Sequence, residues 1–309
     1  MLRNGLLLLV LNSLFCSVAI SQTNLRGGPM LDCSGLPCVE VTLARGRHLR
    51  LLIDTGNVSS VLNKTAATEL GLETTPVIGA DGKPVAAYSR AVLPGLKMGD
   101  AELGDVRILV MDLSDDIKRD RMPACDGTLA YTAFKDRLLE LDYRRKTVRL
   151  SIVLEASEAC PAFCGTLTTP TFGKKGPPIL VATGFSVNGR EITAQIDTLF
   201  SGTMLIYPAS VEKLGLTEAD QTTTKEFFKY TDDGVDMLKA TAATESFGSR
   251  PLAENAPLYF ATTAVHLPDG MFDGTVGHAL FAGSVLTLNL HDMRVWMGRV
   301  GNRSSPDGS

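Results

Sequence analysis

The sequence predicts a mainly β protein built from two related lobes with a few short helices. Its 309 residues are about twice the 100–150 of a usual domain. Three short blocks also recur in the same order. Ile53-Asp54-Thr55 returns as Ile196-Asp197-Thr198, 143 positions on; Leu70-Gly71-Leu72 returns as Leu214-Gly215-Leu216, 144 on; Asp126-Gly127-Thr128-Leu129 returns as Asp273-Gly274-Thr275-Val276, 147 on. Chance tripeptides do not keep a near-constant offset, whereas loop insertions in one copy produce a small drift. The segments around these blocks alternate apolar and polar residues, the period of strands.

In the first copy, Val39, Val41 and Leu43 alternate with Glu40 and Thr42, and after a turn at Gly46 an apolar stretch from Leu49 to Ile53 runs into Asp54, which reads as a hairpin ending on a carboxylate. In the second, Ile179 to Val187 precedes Asn188-Gly189, a type I′ turn dipeptide, and Ile192, Ala194 and Ile196 then alternate up to Asp197. A short helix follows each. One spans Lys64 to Leu70, with Asn63 as cap and Gly71 beyond its end; the other spans Pro208 to Leu214, with Pro208 at its start and Gly215 beyond. Each copy closes on another hairpin, Leu139 to Tyr143 with Thr147 to Ile152, and Val285 to Leu290 with Val295 to Met297. The expected boundaries are a first lobe at 22–156, a Pro/Gly/Cys connector at 157–178, a second lobe at 179–300 and a disordered tail at 301–309.

The first 21 residues read as a secretory signal peptide: Arg3, an apolar run from Leu6 to Phe15, then the small-x-small Ala19-Ile20-Ser21. A retained anchor is the alternative, but Asn12, Ser13 and Ser17 interrupt the run short of the roughly 20 apolar residues a span needs. A lipoprotein signal on Cys16 would place the large Phe15 where a small residue belongs. The expected location is secreted or periplasmic, with no stable membrane insertion after cleavage. A net charge of −4 and a 44% hydrophobic content exclude a disordered chain and a basic nucleic-acid binder. Cys33, Cys38, Cys125, Cys160 and Cys164 remain after cleavage; the pairs 33/38 and 160/164 are close enough to close locally, connectivity is open, and an odd count leaves one thiol over. His48, His266, His278 and His291 are scattered, so neither a metal nor a cofactor is expected.

A carboxylate at a strand end followed by Thr and Gly is chemically specific. Thr55 has a hydroxyl to bond the partner loop, and Gly56 lets backbone approach and offers its N–H to the carboxylate. Two such loops face to face across a pseudo-twofold axis would hold Asp54 and Asp197 close enough to share one proton, one acting as acid and the other as base. Such a pair activates water for attack on a peptide carbonyl. The alternative for both residues is a turn Asp at a strand end.

Ile53-Asp54-Thr55-Gly56, repeated at Asp197-Thr198 and followed in each copy by a hydrophobic block, resembles the pepsin and retropepsin superfamily of aspartic proteases, in particular bacterial two-lobe members. The resemblance runs through short motifs over most of residues 39–152 and 179–297. It implies two pseudo-twofold-related β-barrel lobes, an aspartic endopeptidase activity on peptide or protein substrates, Asp54 and Asp197 as catalytic residues, and Thr55, Gly56 and Thr198 as their supports. It also implies a flap from the first lobe, for which Gly79-Ala80-Asp81-Gly82-Lys83-Pro84 is the candidate turn and Tyr88 the candidate inner aromatic; an ordinary hairpin with a surface Tyr is the alternative. Two positions depart from the pattern. Leu199 stands where the second loop should carry Gly, which would widen or disable the pair, and Ala130 replaces the Gly that the second copy keeps as Gly277.

Asp126 and Asp273 precede turn glycines and read as turn carboxylates, and the mixed-charge run Asp112 to Arg121 as a solvated loop or helix face. No Gly-x-Ser-x-Gly elbow, His-Glu-x-x-His pair or phosphate loop is present. Glycosylation triplets at Asn57 and Asn63 overlap the Asp54 loop and its helix; a third lies at Asn302. The expected function is therefore a monomeric two-Asp endopeptidase. Its rivals are a noncatalytic protein binding peptide between the lobes, and a homodimer pairing two Asp54 residues.

Overall fold

A computed structural model describes residues 25–79, 81–118, 122–152, 163–171, 176–211, 213–214, 222–226, 235–261 and 271–298. The expected signal peptide, tail, Cys160, Gly215 and much of the connector lie outside these.

The chain is mainly β. The first lobe carries β1 (Arg26–Pro29), β2 (Leu31–Cys33), β3 (Leu36–Thr42), β4 (His48–Asp54), β5 (Ser60–Asn63), β6 (Thr75–Ile78), β7 (Pro84–Met98), β8 (Ala101–Met111), β9 (Gly127–Ala130), β10 (Arg137–Asp142) and β11 (Thr147–Ile152). The rest carries β12 (Gly165–Thr168), β13 (Val181–Val187), β14 (Arg190–Asp197), β15 (Met204–Ile206), β16 (Thr222–Glu226), β17 (Val235–Phe247), β18 (Arg250–Ala261), β19 (Gly274–Gly277), β20 (Val285–Asn289) and β21 (Arg294–Gly298). Short helices are α1 (Lys64–Glu69), α2 (Ser114–Lys118) and α3 (Pro208–Val211).

The first lobe is a six-stranded barrel, β3-β4-β9-β5-β8-β7, closed by pairing of β3 with β7. The second repeats it as a ring, β13-β14-β19-β15-β18-β17, closed by β13 with β17. The sense of pairing repeats too: β4–β9 and β5–β8 are parallel, as are β14–β19 and β15–β18, whereas β5–β9 and β15–β19 are antiparallel. The recurrence in the sequence is therefore a recurrence of topology. A third layer, β1-β11-β10-β20-β21-β12, joins the lobes. Its centre is the pairing of β10 with β20, the closing hairpins of the two copies, from Leu138 opposite Asn289 to Asp142 opposite Val285. β12 lies in the segment that reads as connector and pairs with both β21 and β13.

Local chemistry explains the elements that carry the site. Leu51, Leu52 and Ile53 are fully buried, as expected for a strand with apolar cover on both faces. Asn188 and Gly189 both have positive φ (49° and 77°), the type I′ geometry that matches strand twist. The Asn63 side chain caps α1 by accepting from Thr65 N–H, and Leu72 N–H returns to the Ala67 carbonyl past Gly71, a Schellman close. Asp126 and Asp273 do bond backbone N–H groups, but across to a neighbouring strand and not within a turn: each accepts the N–H of the residue four before its lobe's Asp, Arg50 on β4 and Thr193 on β14. Burial alone would raise Asp273, but the Lys213 ammonium and Ser210 hydroxyl hold its carboxyl below the usual range. Cys33 and Cys38 form a disulfide across the β2–β3 hairpin, Cys164 is disulfide-bonded, and Cys125 is a buried free thiol whose pKa burial pushes up to about 11.

Glu245 on β17 is a further buried carboxyl. One oxygen accepts from Thr203 Oγ1 at 3.5 Å; the other has no partner among the described residues. Burial raises its pKa to about 7, against the small lowering from Thr203. The folded state therefore holds a proton that the unfolded chain releases near 4.5. The stability linked to it is complete below that value and is lost as pH rises through about 7. Glu245→Gln is expected to match the parent in urea unfolding at pH ~4 and to exceed it by about 3 kcal/mol at pH ~8.

Candidate active site

β4 and β14 deliver their last residues, Asp54 and Asp197, to the same place. Each strand lies parallel to the strand of its own repeat block, Asp54 opposite Ala130 and Asp197 opposite Gly277. The loops that follow interlock. Thr55 Oγ1 donates to the Ile196 carbonyl (2.8 Å) and accepts from Thr198 N–H (3.1 Å); Thr198 Oγ1 donates to the Ile53 carbonyl (2.5 Å) and accepts from Thr55 N–H (3.1 Å). Both threonines are fully buried. Four backbone groups at the lobe boundary are thus bonded by threonine side chains of the opposite copy.

Gly56 shows how close the loops come. A Cβ built there would sit 2.5 Å from Asp197 Cγ and 2.8 Å from each carboxylate oxygen, so no side chain fits between the first loop and the second carboxylate. The Gly56 carbonyl accepts from Gln195 Nε2 at 2.9 Å, a further bond between lobes.

The two carboxyls have different surroundings. Asp54 is 3% exposed; its Oδ2 accepts from Asn57 Nδ2 at 2.7 Å, and its Oδ1 has no partner among the described residues. Asp197 Oδ1 accepts the Leu199 N–H at 2.9 Å. Burial, then the neighbouring Asp197 charge, raise Asp54 to about 8, while Asn57 opposes the shift. Burial also raises Asp197, against backbone N–H groups of Leu199 and Phe200. Two desolvated carboxyls that disfavour each other's charge retain a proton between them into the neutral range.

Leu199 does not separate the pair. Its N–H serves Asp197 as a glycine's would, and its side chain is buried at 5% exposure in an apolar cluster of the first lobe, with Leu36, Leu52, Leu113, Met122 and the Cys33–Cys38 disulfide. Leu199→Ala is expected to cost about 2–4 kcal/mol in urea unfolding, the loss typical of a buried leucine, without shifting the alkaline limb of any pH–rate profile. At Ala130, which is fully buried, the N–H donates to the Ser60 hydroxyl at 3.0 Å. At Gly277 the Phe200 and Gly202 carbonyls would lie within 2.4 Å of an added Cβ, so only that copy requires glycine.

The structure brings Asp54, Thr55, Gly56, Asp197 and Thr198 together. Gly79, Asp81 and Gly82 form the turn between β6 and β7, closed by Gly79 N–H to the Lys83 carbonyl and by Lys83 N–H to Asp81 Oδ1. Tyr88, 39% exposed, lines a cavity of about 520 Å³ against α1 and Met111–Asp112; no residue of the Asp54 or Asp197 loops lines it. Three residues at the site escape sequence reasoning. Asn57 looked like a glycosylation triplet, yet its amide is committed to Asp54. Gln195 looked like the polar half of a strand alternation. His278 looked like one of four scattered histidines, but its Nδ1 lies 3.0 Å from the Phe200 carbonyl, and burial lowers its pKa. For Asn57, the one available signal was its place three residues after Asp54.

No match is found among curated proteins. Residues 39–132, which run from β3 through the Asp54 loop to just past β9, match the family model described as aspartyl protease. The first lobe of this chain therefore carries an aspartyl protease family domain of the retropepsin-like kind.

Proposed function

We propose that the chain is an aspartic endopeptidase acting as a monomer outside the cytoplasm, with Asp54 and Asp197 as its catalytic pair. The observation that carries this reading is the reciprocal Thr55–Thr198 interlock, which sets the buried Asp54 beside the half-buried Asp197, with one oxygen of Asp54 unpartnered among the described residues. A single chain supplies both halves of that arrangement, which favours the monomer over a dimer pairing two copies of Asp54. Leu199 favours catalysis over simple binding, since its N–H supports Asp197 and its side chain is packed away into the first lobe.

In the proposed reaction the pair holds one proton and one negative charge. The ionised carboxyl takes a proton from water as the water oxygen bonds to the peptide carbonyl carbon, and the other carboxyl gives its proton to the carbonyl oxygen, leaving a neutral gem-diol. The pair then returns a proton to the amide nitrogen and accepts one from a hydroxyl as the C–N bond breaks. Acid and amine products leave, and the pair is restored to its single proton.

The test is incubation of the purified protein with an unfolded protein substrate over a range of pH, with products identified by mass spectrometry. Internal cleavage is expected at mildly acidic and neutral pH, falling away as pH rises through about 8, where the pair loses its last proton. Absence of cleavage at every pH would overturn the reading.

A further inference from the structure

Beside the Asp54 loop the first lobe carries a groove of about 1080 Å³, slightly larger than the usual small-molecule site. We propose that this groove holds the acidic stretch of an extended peptide substrate whose scissile bond lies at the Asp54–Asp197 pair. The proposal rests on the reading of that pair as a peptidase site and adds its substrate class.

Position is the first argument. The groove begins at Val58 and Ser59, immediately after Asn57, whose amide bonds Asp54. Thr132 Oγ1 donates to the Val58 carbonyl at 2.6 Å and fixes that end. An extended chain advances roughly 3.3 Å per residue, so a peptide leaving the pair along the first lobe reaches the groove within a few residues.

Shape is the second. The floor is the outward face of β7 and β8, where Val92 stands opposite Arg107 and Arg90 opposite Leu109. Val92 is 45% exposed, and it and Leu109 give an apolar strip flanked diagonally by two guanidinium groups. Side chains of a bound strand would alternate between that strip and the charged flanks.

Charge is the third. The groove is lined by Arg90, Arg107, Lys135 and Arg137 against Glu73 and Asp105, in a protein of net charge −4. Asp105 already accepts the Gly95 N–H, and Arg137 reaches the Leu103 carbonyl. Arg90, Arg107 and Lys135 form no ion pair among the described residues. Four cations gathered against two carboxylates leave an excess of positive charge in the groove, and a carboxylate-bearing ligand relieves their mutual repulsion.

The test uses the full chain carrying Asp54→Asn, so that peptides are bound and not consumed. Three fluorescent probes are titrated: an extended peptide with Glu at alternate positions, the same peptide with Lys, and a single-stranded oligo-dT. The Glu peptide is expected to bind about tenfold or more tighter than its Lys twin, with the gap narrowing as salt rises. Arg90→Glu/Arg107→Glu is expected to erase the preference; Arg107→Gln alone, a milder change on an exposed strand, is expected to reduce it several-fold. Arg45→Glu/Arg47→Glu, the same charge change on an exposed turn that does not line the groove, is expected to leave it in place. Equal binding of the two peptides, an unaltered preference in Arg107→Gln, or tighter binding of oligo-dT would overturn the proposal. Acid-selective binding without hydrolysis by the parent protein would leave the groove standing and remove the peptidase reading; hydrolysis without acid selectivity would do the reverse.

Discussion

Asp54→Asn is expected to reduce peptide hydrolysis by about a thousandfold or more, the upper part of what positioned acid–base groups contribute, while leaving the protein folded. The amide oxygen can still accept from Asn57 Nδ2, as Asp54 Oδ2 does at 2.7 Å, and the amide nitrogen takes the place of Oδ1, which has no partner among the described residues to lose. What disappears is the titrating group. Because burial and the Asp197 charge raise Asp54 to about 8, the native pair loses stability as pH rises from about 4 through 8, and the amide does not. Urea unfolding near pH ~8 should therefore find the variant at least as stable as its parent. Loss of activity with equal or greater stability would mark a chemical role; parallel loss of both would mark a structural one. Asp197→Asn should behave alike in activity, since its oxygen still accepts from Leu199 N–H.

The second large effect concerns stability. Thr55→Val combined with Thr198→Val keeps shape and removes both hydroxyls of the interlock. The N–H groups of residues 55 and 198 and the carbonyls of Ile53 and Ile196 then lose the partners they have now. A buried group left unpaired costs about 1–3 kcal/mol, so four of them amount to at least about 4 kcal/mol, a large part of the 5–15 kcal/mol that holds a typical domain. The double variant is expected to unfold at much lower urea and to lose hydrolysis with it. Thr→Ser at both positions, which keeps each oxygen, is expected to retain most of the stability. Because the two hydroxyls serve one network, the single Val variants should not sum to the double.

What was legible in the sequence was what each copy states locally. The hairpin ending on Asp54, the Asn188-Gly189 turn and the Asn63 cap depend on neighbours in sequence, and the repeat gave the strand-to-carboxylate reading a second time at Asp197. Strands whose geometry is imposed from outside were not legible. Arg26-Gly27-Gly28-Pro29 has no strand pattern of its own and becomes β1 because it pairs with β11, and β12 lies in a stretch marked by Pro and Gly. The long β17–β18 hairpin carries Pro251 and Pro257, residues that argue against a strand. At the site, the carboxyl pair and its threonines were readable because the motif is duplicated. The fate of Leu199 was not, because the cavity that takes its side chain is assembled from Cys33 through Met122, all in the other lobe.

The sheet that joins the lobes also sets the order of events during folding. Its pairings link Arg26 with Leu150 and Leu138 with Asn289, partners more than a hundred residues apart, and contacts of that span form slowly. A chain halted before β20 has both barrel sheets and both Asp54 and Asp197, but leaves β10 with an open edge of the kind through which incomplete β proteins associate. The seam between the lobes is thus closed only when nearly the last strand has docked, and until then the two copies are held together by their loops and not by a shared sheet.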